Sequence, residues 1–166
     1  MIVCIALGSN LGNRLANLQG ARDRLVALES CSALLAQASI YESAPIDCPD
    51  GSGAFLNTVI SIEWNDNLLT LLKSALAIEL KMGRVRTVQN APRPVDIDLI
   101  CAEQESLQSP ELKIPHPRLH ERRFVLEPLT EIHPDLVLPG FSVGLTQLLG
   151  QLDCSEQALE IFLTNW

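Results

Sequence analysis

The chain has no CxxC pair, no HExxH helix, no excess of basic residues, no internal repeats and no long apolar run. Each absence removes a class of function. Its five cysteines (Cys4, Cys31, Cys48, Cys101 and Cys154) are scattered and odd in number. That pattern argues against a disulfide framework or a zinc site and fits a reducing cytoplasm. No apolar segment approaches the roughly 18–20 residues that span a bilayer. The opening Met1–Gly8 segment lacks a basic region and is expected to be a first strand rather than a signal peptide. The formal net charge of −8 disfavours a nucleic-acid or anionic-membrane partner.

What remains is a sequence of 166 residues, 47% hydrophobic, long enough for one domain with its own core. A single domain over 1–166 is expected. Its charge is uneven. Between Lys81 and Arg123 stand eight basic and six acidic residues, whereas the rest is strongly acidic. A local cationic zone on an acidic protein points to a small polyanion, and a nucleoside triphosphate is the natural candidate.

Periodicity predicts a buried strand at Ile2–Leu7 and a helix from Asn13 to about Glu29, with Leu15, Leu18, Ala21, Leu25 and Leu28 inward. A strand is expected from about Leu34 to Glu42 and another over Phe55–Trp64. A helix over Leu68–Met82 is capped by Asn65–Asn67 and ended by Gly83. The strand Val95–Cys101 follows. Short helices are expected near Phe124–Thr130 and Leu145–Leu149, and a last one from about Ser155 onward. The order βαββαβ is the ferredoxin-like α+β pattern, here with helices on both faces of a mainly antiparallel sheet.

The strand at Val95 carries the most chemistry. Val95, Ile97 and Leu99 share one face, so Asp96 and Asp98 project together from the other. Two carboxylates roughly 7 Å apart along a strand repel unless a cation sits between them; the bland reading is an edge strand with two solvated aspartates. Arg84 and Arg86, if extended, point the same way, and Arg93 stands three residues before Asp96. Three arginines and two aspartates so close together suit Mg²⁺ held on a phosphate chain. Asn57 lies two residues after Phe55, on the same strand face. A ring and an amide together suit a flat heterocycle, although an asparagine can equally be satisfied by a loop backbone. Glu79 borders the apolar stripe of its helix and alone reads as a half-exposed surface residue. His116 and His120 have i,i+4 spacing, but Pro115 and Pro117 oppose a helix there, so a phosphate-facing His116 is preferred to a two-histidine metal site.

With these residues in place the chain resembles the 6-hydroxymethyl-7,8-dihydropterin pyrophosphokinases of folate biosynthesis. The likeness runs through Ala6-Leu7-Gly8-Ser9-Asn10-Leu11-Gly12-Asn13, Phe55-Leu56-Asn57, Glu79-Leu80, Gly83-Arg84-Val85-Arg86, Pro92-Arg93, Asp96-Ile97-Asp98, Pro115-His116-Pro117-Arg118 and Arg122-Arg123-Phe124. The resemblance implies an enzyme that transfers the pyrophosphoryl group of ATP to the pterin hydroxymethyl oxygen and releases AMP. It implies two Mg²⁺ ions on Asp96 and Asp98, with Arg84 and Arg93 handling the transferring phosphates. Glu79, Arg86, Leu99, His116 and Arg122 would line the ATP site. Asn57 would read the pterin edge, its ring held between Phe55 and Phe124, with contacts from Ser43, Ala44 and Ile46. No side-chain general base is assigned; Asp98 is the nearest candidate.

The chain departs from the family where a Trp-Gly-Pro-Arg is common, having Asn90-Ala91-Pro92-Arg93 instead. Its loop from Thr87 to Pro94 is about one residue shorter, judged from the motif spacing. Glu111 and Lys113 stand where ATP-site contacts usually lie, and Pro117 replaces a common aromatic. The expected partners are ATP and a reduced pterin, with no nucleic acid and no membrane. The expected state is a cytoplasmic monomer, open to contact with neighbouring folate-pathway enzymes. The alternative is a non-catalytic pterin- or nucleotide-binding paralogue with a degraded lid loop.

Overall fold

The computed structural model describes residues 1–45, 52–84, 91–152 and 159–166. Strand β1 (Ile2–Ser9) leads into helix α1 (Arg14–Val26), followed by β2 (Cys31–Gln37), β3 (Ile40–Ser43) and β4 (Phe55–Trp64). Helix α2 (Leu68–Lys81) and β5 (Asp96–Ala102) complete the core, which is βαββαβ when β2 and β3 are taken as one interrupted strand. Beyond it lie a small hairpin of β6 (Leu107–Gln108) and β7 (Lys113–Ile114), then α3 (Arg123–Ile132), α4 (Leu145–Gln151) and β8 (Glu160–Leu163). The six-stranded sheet runs β5-β1-β4-β3-β8, with β2 also on β4, and its described pairings are antiparallel. Among the described residues no helix is long and apolar enough to cross a membrane.

Apolar residues on both sides of the central strands require a cover on each face. Val3, Ile5 and Leu7 of β1 join Leu56, Ile60 and Ile62 of β4 beneath α1 and α2. Cys4 of β1, Val59 of β4 and Ile100 of β5 face the other way, beneath α3 and α4. The helices start where asparagine chemistry dictates: Asn13 Oδ1 accepts from the Ala16 N–H at 3.1 Å and Asn67 Oδ1 from Thr70 N–H at 2.9 Å. Leu18, Ala21 and Leu25 of α1 are fully buried, each leucine side chain contributing about 1.5–3 kcal/mol. Gly83 takes a φ of +89° just past α2, the left-handed conformation that ends a helix. Cys4, Cys31 and Cys101 are free thiols, and Cys48 and Cys154 lie outside the described residues.

Two expectations need correction. The strand expected from Leu34 to Glu42 is interrupted. Gln37 pairs with Ile60 and Tyr41 with Asn57, so four steps on one strand meet three on the other. The extra residue is a bulge. It leaves the Ser39 N–H outside the ladder, and the Glu131 carboxylate of α3 accepts it at 3.0 Å, together with the hydroxyls of Ser39 and Tyr41 at 2.8 Å. The helix expected from about Ser155 onward is also absent where the chain is described. Residues 159–166 carry β8, which adds to the open edge of β3 with Tyr41 opposite Ile161. Ile161-Phe162-Leu163 suits a strand once an unpaired edge is offered, and no local pattern announces that edge. Trp166 fixes the new strand: its Nε1–H donates to Ala38 O at 2.9 Å and its main-chain oxygen accepts from Arg22 at 2.6 Å.

Tyr41 is the sole tyrosine of the sequence. Burial, and then its hydrogen bond to the Glu131 carboxylate, raise the phenol well above its ordinary range. Because the folded value exceeds the unfolded one, this contribution to stability is complete below about pH 10 and is lost as the pH rises through the folded value. The ultraviolet tyrosinate band is therefore expected to be missing from the native protein at pH 10 and to appear with alkaline unfolding. Native protein titrating at about pH 10 would contradict this.

Candidate active site

Residues paired across a sheet share a face, so register alone assembles the site. Gly8 of β1 lies opposite Asn57 of β4 on one side and Asp96 of β5 on the other. In the neighbouring row Ala6 lies between Val59 and Asp98. The two aspartates therefore share a sheet face with Asn57 and, two residues along β4, Phe55. On the opposite face Val95, Ile97 and Leu99 join the core, which confirms the alternation read from the sequence. Ser43, opposite Phe55, accepts a 2.8 Å hydrogen bond from Asn57 Nδ2 and so orients the amide. Asn57 is 6% exposed, too buried to be a solvated surface amide.

Asp96 is the hub of a charged cluster. Arg84 reaches both Asp96 and Glu79. Arg93 approaches Asp96 Oδ2 with Nη2 at 2.6 Å and Nε at 2.9 Å. Burial alone would raise the Asp96 carboxyl, but the guanidiniums of Arg93 and Arg84 outweigh it and hold the carboxyl below its usual range. Burial likewise opposes charge on Arg84, and the carboxylates of Asp96 and Glu79 overcome it. The surface reading of Glu79 is overturned: it is 3% exposed, and its Oε1 accepts the Ile97 N–H at 2.8 Å. It ties the start of β5 to α2 and holds Arg84 in place. Arg93 is fixed through its backbone by Asn10, whose Oδ1 accepts the Arg93 N–H at 2.9 Å while its own N–H donates to Arg93 O at 3.3 Å.

Asp98 has no such support. Among the described residues its ion-pair partner is Arg122, at 4.0 Å. Burial, then the neighbouring charge of Asp96, push its carboxyl up to about 6. An under-compensated carboxylate beside a compensated one is a place for a cation. Among the described residues no three metal-ligating side chains converge. Two hard carboxylate oxygens still fit Mg²⁺, which keeps several waters and takes further oxygens from phosphate. Beyond Asp98 opens a cleft of about 270 Å³ lined by Leu99, His116, Leu72, Glu111 and Lys113. Burial and the charges of Arg122 and Arg118 lower His116 to about 4, so its imidazole is neutral at physiological pH. Its Nδ1 accepts from the Arg118 N–H at 3.2 Å.

Arg93 lies over the Phe55 ring at 5.3 Å and Arg122 over Phe124 at 5.7 Å, so each candidate stacking ring carries a guanidinium. Ala44 is exposed beside Ser43. Arg86 and Ile46 lie outside the described residues, as does the first half of the expected lid loop Thr87–Pro94, at 87–90. Sequence reading missed Asn10, whose clamp on Arg93 spans 83 positions, and the central place of Gly8.

The model of the family described as 7,8-dihydro-6-hydroxymethylpterin-pyrophosphokinase matches residues 4–134. A 2-amino-4-hydroxy-6-hydroxymethyldihydropteridine pyrophosphokinase of Synechocystis sp. is 37% identical over 156 residues, covering 91% of this chain and 76% of its own length. The protein of that name from Pseudomonas aeruginosa is 39% identical over 137 residues, covering 82% and 83%. The one from Methylorubrum extorquens is 37% identical over 151 residues, covering 91% and 93%. Among solved structures, wild-type HPPK-DHPS of Plasmodium falciparum superposes with a TM-score of 0.67 at 13% identity, which speaks for the fold alone. That match covers 90% of this chain and 44% of the larger one, so this chain spans less than half of that solved protein. By the family match and by relatives that share over a third of its residues along most of their length, the chain belongs to the 7,8-dihydro-6-hydroxymethylpterin-pyrophosphokinase family.

Proposed function

We infer that the chain works as its family does. It is an ATP-dependent pyrophosphokinase that transfers the pyrophosphoryl group of ATP to hydroxymethyldihydropterin in folate synthesis. One observation carries the assignment to these residues: Asn57 and Phe55 share a sheet face with Asp96 and Asp98, one strand apart. An amide and a ring to hold a heterocycle thus stand beside carboxylates and arginines suited to a polyphosphate.

The roles follow from the chemistry. Phosphoryl transfer needs in-line positioning and charge neutralisation more than a strong base. Arg84 and Arg93, already gathered by Asp96, take the phosphate oxygens as the triphosphate competes for them. Asn57, held by Ser43, reads the pterin edge between Phe55 and Phe124, with Ala44 and Ile46 beside it. Leu99, neutral His116 and Arg122 receive the nucleotide along the cleft, with Arg86 on the phosphates, and Glu79 acts by positioning Arg84. Two Mg²⁺ ions would be held by Asp96 and Asp98, supplying charge neutralisation on the phosphate chain and acidity at the attacking hydroxyl. The unit is a single domain over 1–166, monomeric and cytoplasmic, in keeping with the free thiols of Cys4, Cys31 and Cys101 among the described residues.

The test is incubation with ATP, Mg²⁺ and 6-hydroxymethyl-7,8-dihydropterin. AMP is expected in amounts matching the pterin diphosphate formed, and none without pterin. Tight pterin binding with no AMP above that control would instead favour the non-catalytic paralogue.

A further inference from the structure

Arg14 breaks a local rule, and no step of the reaction uses it. It is the first residue of α1, where the helix dipole disfavours a cation, and the first turn holds no acidic side chain to offset it. Its partner breaks another rule. Glu42 of β3 lies opposite Glu160 of β8, and like charges facing across a ladder weaken it. Each side chain is unfavourable in its own element, and the two meet: Arg14 Nη1 stands 2.7 Å from Glu42 Oε2 and donates to Ala54 O at 2.8 Å. With side chains 28% and 37% exposed, such an ion pair adds little to stability. Local rules broken without a gain in stability point to a functional demand.

What the guanidinium holds is the place where β3 and β4 separate. Their ladder ends at Ser43 and Phe55, so Ala54 lies just beyond it. Ala54 immediately precedes Phe55, and Glu42 immediately precedes Ser43, the residue that orients Asn57. Glu42 lies opposite Leu56, which packs beneath α1. Arg14 therefore works from the sheet face behind the site. We propose that Arg14 is a positioning residue for the pterin: by joining Glu42 to Ala54 it fixes the backbone entering Phe55 and keeps Ser43 on Asn57, so that ring and amide hold one geometry. This rests on the function proposed above.

The experiment compares wild type with Arg14→Met, Arg14→Lys and the double variant Arg14→Met/Glu42→Gln. Each is followed by AMP release, by direct titration with 6-hydroxymethyl-7,8-dihydropterin, by titration with a non-hydrolysable ATP analogue in Mg²⁺, and by thermal melting. Arg14→Met keeps the alkyl stem and loses both contacts. Its pterin KM and Kd are expected to rise roughly tenfold, with kcat falling by less, analogue affinity unchanged and Tm within about 3 °C of wild type. Arg14→Lys, a point charge that still reaches one partner, should recover part of the pterin affinity. The double variant should bind pterin no worse than Arg14→Met, because the two side chains act as one unit. Unchanged pterin affinity in Arg14→Met would overturn the proposal, as would a further independent loss in the double variant. So would a larger fall in Tm or a loss of analogue affinity alongside the pterin loss, because Arg14 would then serve the packing of α1 on the sheet. Wild type that binds pterin without releasing AMP would overturn the assigned reaction, and the pterin titrations would still decide the role of Arg14.

Discussion

Replacing Asp98 by Asn is expected to raise the Tm of the metal-free protein while lowering turnover by at least about a hundredfold. The two effects have one origin. Asp98 is kept charged at neutral pH against partial burial and against Asp96, with Arg122 at 4.0 Å, although its side chain is 44% exposed and solvent screens part of the cost. Its folded carboxyl, at about 6, lies above its unfolded value, so its charge opposes folding above pH 6 and the penalty fades as the pH falls. The stability gained by Asp98→Asn should therefore shrink between pH 7 and pH 5, measured by calorimetry in EDTA. Asp96→Ala should abolish turnover too, but with the opposite effect on stability. It removes the shared partner of Arg84 and Arg93, whose side chains are only 16% and 18% exposed. A loss of about 3 kcal/mol is expected, the low end for a broken buried ion pair. Equal Tm changes in the two variants, or near-native turnover in either, would sink this division of labour.

Glu79→Ala is expected to be the most destabilising single change at the site. The substitution leaves the Ile97 N–H without its acceptor and takes one of two carboxylates from Arg84. Breaking such a buried pair costs about 3–5 kcal/mol, which corresponds to a fall in Tm of about 10 °C for a chain of this size. Glu79→Gln keeps an acceptor for the Ile97 N–H and should recover much of the stability. Its turnover should still be reduced, because Arg84 loses one of its two guides. Calorimetry and AMP release on both variants check this. A Glu79→Ala protein melting within about 2 °C of wild type would show that Glu79 does not anchor β5.

What was legible in the sequence was periodic or local. The alternation of Val95, Ile97 and Leu99 against Asp96 and Asp98 is the strand as it stands, and Asn13 and Asn67 cap the helices they precede. Glu79 was misjudged because its position beside an apolar stripe does not say that a main-chain donor eighteen residues on, at Ile97, will need it. The bulge before Ser39 depends on Glu131, ninety-two positions away, and β8 depends on an edge left open by β3. Gly8 is unreadable for the same reason. Its meaning lies in what β4 and β5 place beside it, and register across a sheet is set by the assembled core rather than by neighbours in the chain.

The pairing of β8 with β3 joins Ile40 to Leu163. At a ribosomal rate of about 5–20 residues per second, the growing chain carries an uncovered sheet edge for on the order of 10 s before its cover is synthesised. During that interval the main-chain groups of β3 are open to pairing with any extended segment, including the same segment of another nascent chain. Because its contacts with Arg22 and Ala38 hold β8 in place, the β3 edge is covered only after Trp166 has been made.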